Sequence, residues 1–215
     1  MTLKLYAHPL SSYCHKVLMA LYENATPFEF ALLDGGEPVT SDFARLWPIG
    51  KFPALTDGER LVTEATIIIE YLDVHHRGPT RFIPDDPDAA IQVRWMDRLF
   101  DNYFETPFQR IVGTAIGLDR CDETRVRGAL DTAYRWLDGW MEGREWAAGG
   151  AFSLADCAAA PALLYADWTH AIPQEHRNVW AYRDRLLARP SYARALDEAR
   201  PYRHMFPLGA PEGRD

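Results

Sequence analysis

The sequence predicts a small α/β domain with the element order βαβαββα, followed by a domain built only from helices. Three observations lead to this prediction: strand-like runs alternate with helical periodicity up to residue 77, a proline-rich and charged segment follows, and no convincing strand run lies beyond it. The predicted ranges are 1–77 for the first domain, 78–88 for a linker, 89–205 for the helical domain and 206–215 for a flexible tail.

The first domain opens with a strand, a helix and a second strand. Residues 3–7 have strand character, and Ser11 or Ser12 can cap a helix that continues through Tyr22. A second strand is predicted over residues 28–33. This spacing indicates a parallel βαβ unit with a right-handed crossover.

The rest of the first domain contains a short helix, a hairpin and a third helix. The hairpin is predicted from Asp57-Gly58, a dipeptide typical of tight turns between antiparallel strands. The predicted elements are a helix capped by Ser41 and ending at Leu46, strands over 52–56 and 61–63, and a helix over 64–76.

The second domain is predicted to contain helices and no strand. The clearest helix start is Ser153, followed three residues later by Asp156, because this spacing is typical of a capping box. The predicted helices cover residues 89–116, 123–141, 153–165, 179–188 and 192–199.

Composition and charge exclude several classes of partner. The formal net charge is −8, whereas duplex DNA and anionic membranes select basic surfaces. No apolar run approaches the ~18 residues of a membrane span, and no signal peptide is evident. The three cysteines have no paired spacing and suit free thiols in a reducing compartment. We therefore expect a cytoplasmic protein with no nucleic-acid or membrane partner.

Four short motifs stand in order along the chain: SSYCHKV at 11–17, PIGKFPAL at 48–55, EATIIIEYL at 64–72 and FSLAD at 152–156. Together they resemble the cytosolic glutathione transferases, and the resemblance extends from Lys4 to about Met205. It implies a thioredoxin-like N-terminal domain joined to the helical domain, a homodimer, and glutathione as co-substrate with no metal and no nucleotide.

The first motif implies the catalytic group. By resemblance to the serine-type classes (theta, zeta and tau), Ser11 stabilises the glutathione thiolate, and Ser12 is the reserve candidate. Lowering a thiol pKa by ~2 units requires ~2.7 kcal/mol. A hydroxyl that donates to the sulfur contributes about 1.5–3 kcal/mol, and a helix N-terminus adds about 0.3–1 kcal/mol. The alternative is that both serines only cap the helix.

The second motif implies how the middle of glutathione is bound. The resemblance predicts a cis peptide bond before Pro53, which lets the backbone of Phe52 pair with the cysteinyl residue in the manner of an added strand. A trans proline at a strand start is the commoner arrangement in general. Lys51 is a candidate for the glycyl carboxylate, and an ordinary solvated lysine is an equally good interpretation.

The third motif implies the site of the γ-glutamyl group. Glu64 is expected to pair with the ammonium group, while the N–H groups of Ala65 and Thr66 hold the carboxylate at a helix N-terminus. The family usually has serine at the position of Ala65, so one hydrogen bond, worth about 0.5–1.5 kcal/mol, is absent. Whether Thr66 supplies it is left open by the sequence.

The aromatic-rich helix predicted over 89–116 provides candidates for the acceptor site, Tyr103 and Phe104, although such residues more often belong to a core. The implied function is conjugation of glutathione to a small, largely apolar electrophile, as in detoxification. A glutathione-dependent isomerase, dehalogenase or peroxidase would use the same thiolate. A non-catalytic protein that binds glutathione or another ligand is a further alternative, which Ala65 favours.

Overall fold

A computed structural model describes residues 2–214. Met1 and Asp215, which fall in the predicted first domain and the predicted tail, lie outside the described residues. Within 2–214, a mixed sheet with three helices comes first and a helical region follows, as the sequence predicts. The division into domains at residues 77, 88 and 205 stays a prediction.

The sheet has the strand order β2-β1-β3-β4. β1 pairs in parallel with β2, and the first helix connects these two strands in the chain. β3 runs antiparallel to both β1 and β4. Gly58 has φ +60° in the turn between the last two strands, a conformation that glycine adopts at little cost. The strands are β1 (Leu3–Ala7), β2 (Phe28–Leu32), β3 (Ala54–Asp57) and β4 (Arg60–Thr63).

The helices of this first part are α1 (Ser12–Glu23), α2 (Val39–Leu46) and α3 (Ala65–His75). Ser11 caps α1 through its side chain. The predicted cap of α2 is wrong, because that helix begins after Pro38, and the Ser41 hydroxyl donates to the Pro38 carbonyl from inside the first turn.

The helical region contains one departure from the predicted pattern. The helix predicted over 89–116 is α4 (Pro87–Phe100), a π-helical segment (Asp101–Glu105) and α5 (Thr106–Ala115). Pro107, in the first turn of α5, has no N–H to continue the ladder. The Thr106 N–H bonds to the Asp101 carbonyl, five residues back. The remaining helices are α6 (Glu123–Trp140), α7 (Leu154–Thr169), α8 (Arg177–Leu187) and α9 (Pro190–Ala199), with a short 3-10 turn (Arg200–Met205).

α7 runs through the core and is buried along its whole length. Its start is fixed by the predicted capping box, in which Ser153 and Asp156 bond to each other's backbone. The Asp156 carboxylate also accepts from the Ala147 N–H at 2.9 Å and the Tyr182 hydroxyl at 2.6 Å. One buried carboxylate therefore joins α7, α8 and the segment before them.

The predicted tail contacts the helical region. Phe206 is 6% exposed and packs against Tyr165 and Trp168 of α7. Arg214 lies 2.5 Å from the Asp167 carboxylate, and its carbonyl accepts from Arg183. The flexibility of residues 206–215 stays a prediction, alongside these contacts with the helical region. Among residues 2–214, no helix is both long enough and apolar enough to cross a membrane.

Candidate functional site

A cavity of about 880 Å³ lies between the sheet-containing part and the helical region. This volume is within the ~300–1,000 Å³ of small-molecule sites. Its walls are the start of α1, the chain before β3, the start of α3 and one side of the α4–α5 unit. The predicted site residues that line it are Ser11, Lys51, Phe52, Pro53, Glu64 and Ala65.

Ser11 occupies the N-cap of α1 with extended backbone angles (φ −86°, ψ 124°). Its Oγ accepts a hydrogen bond from the Cys14 N–H at 3.4 Å, a long and therefore weak cap. Accepting this bond does not use the hydroxyl hydrogen, which can rotate toward a ligand in the cavity. Ser11 therefore caps α1 and lines the cavity, and one role does not exclude the other.

Ser12, the reserve candidate, is placed differently. It is 6% exposed, does not line the cavity, and donates its hydroxyl to the Glu105 carboxylate of the π-helical segment. The Gln109 side-chain N–H donates to the same carboxylate oxygen at 3.0 Å. Burial is the main cause that raises the pKa of Glu105 to about 8. The structure thus separates the two serines into a cavity residue and an internal one.

The Phe52–Pro53 peptide bond is cis, which confirms the prediction made from the second motif. Phe52 lies just before β3, next to the end of the ladder where Tyr6 pairs with Ala54. Its backbone is therefore at the cavity, and its side chain is 39% exposed. A second cis bond, before Pro38, was not predicted.

Glu64 has φ +68°, a left-handed conformation that is unusual for a residue with a side chain. Such strain clusters at functional sites. Glu64 is the N-cap residue of α3, but its side chain makes no capping hydrogen bond, so its carboxylate does not bond to the N–H groups of the helix. Ala65 is the first residue of α3, where backbone N–H groups lack helical partners and point outward.

A polar network that was not predicted lies beneath this end of the cavity. Lys16 is 1% exposed, and its Nζ lies 2.5 Å from Asp97, 3.0 Å from Asp101 and 3.0 Å from the Thr66 hydroxyl. Arg98 lies 2.6 Å from Asp97 and 2.5 Å from Asp101. Burial is the main cause that raises the pKa of Asp101. The network joins α1, α3 and α4.

The sequence contained a usable signal for this network. Acidic residues recur at positions 97, 101 and 105, the spacing of one helix face, within a segment of apolar and aromatic residues. Lys16 likewise interrupts the apolar run of α1. A charge on an otherwise buried helix face indicates a buried partner, because unpaired charges are costly to bury.

The structure does not place the two acceptor-site candidates at the cavity. Phe104 is 0% exposed and packs in the core against Phe100 and Tyr134. Tyr103 is 61% exposed and lies outside the cavity lining. Instead, the helical side is lined by Arg94, Asp97, Arg98, Asp101, Asn102, Thr106 and Gln109, with Tyr13 from α1.

Metal ligation was tested on the same coordinates. In the stretch 2–214 there is no group of three or more His, Cys, Asp or Glu side chains arranged to hold a metal ion. Cys14, Cys121 and Cys157 are free thiols, and Cys14 and Cys157 are buried.

Two family models match the chain: the glutathione S-transferase N-terminal domain over residues 5–80 and the C-terminal domain over 111–190. The chain belongs to the glutathione S-transferase family. A glutathione S-transferase of Silene vulgaris is 31% identical over 91% of this chain and 97% of its own length. Human glutathione S-transferase theta-2B is 29% identical over 76% of this chain and 71% of its own.

Among solved structures, a glutathione S-transferase of Methylobacterium radiotolerans in complex with glutathione sulfonate has a TM-score of 0.76 and 26% identity. The match covers 91% of this chain and 94% of that one. Membership of the glutathione S-transferase family supports glutathione transferase activity for this chain. It also agrees with the thioredoxin-like fold and helical C-terminal region inferred from the motifs.

Proposed function

We propose that this protein is a serine-type glutathione transferase in which Ser11 stabilises the glutathione thiolate. The observation that carries the proposal is the Ser11 hydroxyl at the α1 N-terminus, lining the same cavity as cis-Pro53. A donated hydrogen bond to an anion is worth about 1.5–3 kcal/mol, which lowers a thiol pKa by about 1–2 units. The thiol proton leaves to solvent, and the thiolate stays bound.

The rest of the cavity suits the remainder of glutathione. The backbone of Phe52, next to the cis bond and just before β3, is placed to pair with the cysteinyl residue, and Lys51 is a cation for the glycyl carboxylate. The α3 N-terminus at Ala65 offers N–H donors to the γ-glutamyl carboxylate, while Glu64 offers a carboxylate to its ammonium group. The glutathione sulfonate held by the Methylobacterium relative supports glutathione as co-substrate here.

The second substrate is a small electrophile. The thiolate sulfur forms a bond to carbon. In a substitution, a leaving group departs with the electron pair of the bond that breaks. In an addition, the electron pair of the C=C bond moves toward the conjugated carbonyl, and the resulting enolate takes a proton from solvent. Proximity of the two substrates supplies the rest of the rate enhancement. The sequence predicted a largely apolar acceptor from Tyr103 and Phe104, and neither residue lines the cavity. The wall that does line it favours a different acceptor.

We also propose a cytoplasmic homodimer that serves detoxification. An exposed apolar patch on α4 and α6 supports a second copy as partner. In this patch the ring centroid of Trp95 lies 5.8 Å from that of Trp136 and 5.2 Å from that of Trp140. Ile91, one turn before Trp95, is 64% exposed. Patches of this kind mark interaction surfaces. In analytical sedimentation, the wild type should be a dimer, and the variant Trp95→Glu should be shifted to monomer. A monomeric wild type would refute the homodimer.

A glutathione titration at about pH 6.5, followed by the ultraviolet absorbance of the thiolate, tests the proposed function. We expect a saturable thiolate band in the wild type, its loss in Ser11→Ala, and its retention in Ser12→Ala. Ser11→Thr, which keeps the hydroxyl, should restore the band. Binding without a thiolate band would instead favour a non-catalytic glutathione-binding protein. An unchanged band in folded Ser11→Ala would refute the role of Ser11.

A further inference from the structure

The helical side of the cavity is polar throughout. Every residue that α4, the π-helical segment and α5 contribute to the lining is charged or carries an amide or hydroxyl. The apolar lining residues Phe52, Pro53, Ala65 and Ile67 all come from the sheet-containing part. We call Asn102, Thr106 and Gln109 the polar wall.

The polar wall has hydrogen-bonding capacity that the protein leaves unused. Asn102 is exposed, and none of the hydrogen bonds among residues 2–214 involves its side chain, so both its N–H donors and its carbonyl are available. The Thr106 hydroxyl donates to the Asp101 carbonyl at 2.9 Å, which leaves its oxygen free to accept. The wall therefore offers both donors and acceptors.

Gln109 is held in place from behind. Its side-chain N–H donates to the Glu105 carboxylate at 3.0 Å, and Glu105 is 2% exposed and bonded also to Ser12. This contact fixes the orientation of the amide and leaves the Gln109 side-chain oxygen as an acceptor. A side chain held in this way binds a ligand more tightly than a mobile one, because less conformational freedom is lost when the ligand binds.

We propose that the polar wall selects an acceptor substrate with hydrogen-bonding oxygen groups beside its electrophilic carbon, such as a hydroxylated unsaturated aldehyde. This proposal rests on the proposed function. Asn102 would donate to a carbonyl oxygen of the acceptor, while the hydroxyl of the acceptor would donate its one hydrogen to either Gln109 or Thr106. A wholly apolar acceptor would displace water from these groups without replacing the hydrogen bonds, which disfavours it.

A pair of acceptors that differ in one hydroxyl group tests the proposal: hydroxynonenal and nonenal. Rates are divided by the uncatalysed rate of each aldehyde with glutathione, so intrinsic reactivity cancels. We expect wild-type kcat/KM to favour hydroxynonenal by ~10-fold, the value of one good hydrogen bond. The double variant Asn102→Leu/Gln109→Met should lose this preference and keep the glutathione KM and the thiolate band. Exposed Gln174→Met is the matched control and should keep the preference.

Binding measurements separate this proposal from the proposed function. The glutathione conjugates of both aldehydes can be made chemically, and reduction of each aldehyde to its alcohol prevents the hydroxylated conjugate from closing to a cyclic hemiacetal. Calorimetry then measures the affinities of the two reduced conjugates without any turnover. We expect the hydroxylated conjugate to bind ~10-fold tighter in the wild type and equally in the double variant. Equal affinities in the wild type, or a preference that survives in the double variant, would overturn the polar-wall proposal. Absence of a thiolate band in the wild type would count against the proposed function and not against the polar wall, because the affinities of the conjugates do not depend on thiolate formation.

Discussion

Ala65→Ser is expected to tighten glutathione binding, because the hydroxyl usual at this position in the family has no substitute in the structure. The natural candidate is Thr66, one residue later. Its hydroxyl donates to Asp97 at 3.0 Å and accepts from Lys16 at 3.0 Å and from Arg98. With its hydrogen committed to a buried carboxylate, Thr66 has no donor left for the ligand.

The magnitude follows from one added hydrogen bond. Ala65 is 7% exposed at the first position of α3 and lines the cavity, so a serine hydroxyl there reaches the same space as the ligand carboxylate. A net gain of about 0.5–1.5 kcal/mol corresponds to ~2- to 13-fold tighter binding. The backbone N–H groups already present keep the wild type competent, which is why the change is a modest one.

Calorimetry with S-methylglutathione measures this gain without interference from thiol ionisation. Cysteinylglycine, which lacks the γ-glutamyl group, serves as the control ligand and should bind both proteins equally. Ala188→Ser, an exposed alanine at the end of α8, is the matched control variant. An unchanged or weaker affinity of folded Ala65→Ser for S-methylglutathione would refute the placement of the carboxylate at the α3 N-terminus.

Two further predictions concern buried charges. Lys16→Met should cost ~3 kcal/mol of unfolding free energy in denaturant titrations, because Asp97 and Asp101 lose their buried cation and keep only Arg98; a loss below ~1 kcal/mol would contradict this. Burial raises the pKa of Glu105 from 4.5 to about 8, so the native protein favours the neutral carboxyl and loses stability as pH rises between these values. The free energy of unfolding of Glu105→Gln should therefore increase relative to that of the wild type as pH rises. Parallel curves of stability against pH for the two proteins would contradict this.

Local signals in the sequence were sufficient for most of the fold. Turn dipeptides, caps and hydrophobic periodicity depend only on residues close together in the sequence. The elements β1, α1 and the β3–β4 hairpin lie where these signals predict them. The capping box at Ser153 and the cis bond before Pro53 were also predictable, the second only through the family motif. Each of these features depends on short segments.

Two departures concern the helix predicted over 89–116. Pro107 removes one hydrogen bond of the helical ladder, and the preceding turn widens to bonds that span five residues. Tyr103 and Phe104 were named as acceptor-site candidates because this helix is rich in aromatic residues, and composition alone does not decide which side chains face the cavity. The pairing of Lys16 with Asp97 was missed for a different reason: each segment signals that its charge needs a buried partner, but a partner distant in sequence is not identifiable from either segment alone.

The π-helical segment also separates changes in chain length from changes in the direction of the side chains that follow. A regular α-helix turns about 100° per residue, so one residue inserted there would rotate everything after it by about that angle. A single π-helical turn takes up one residue more than an α-helical turn, and deletion of one residue within Asp101–Glu105 would restore the α-helical ladder while Thr106 and Gln109 keep facing the cavity. Of the polar wall, only Asn102 lies within the segment itself. A single codon lost there would thus let an evolving lineage alter one member of the polar wall beside an unaltered thiolate.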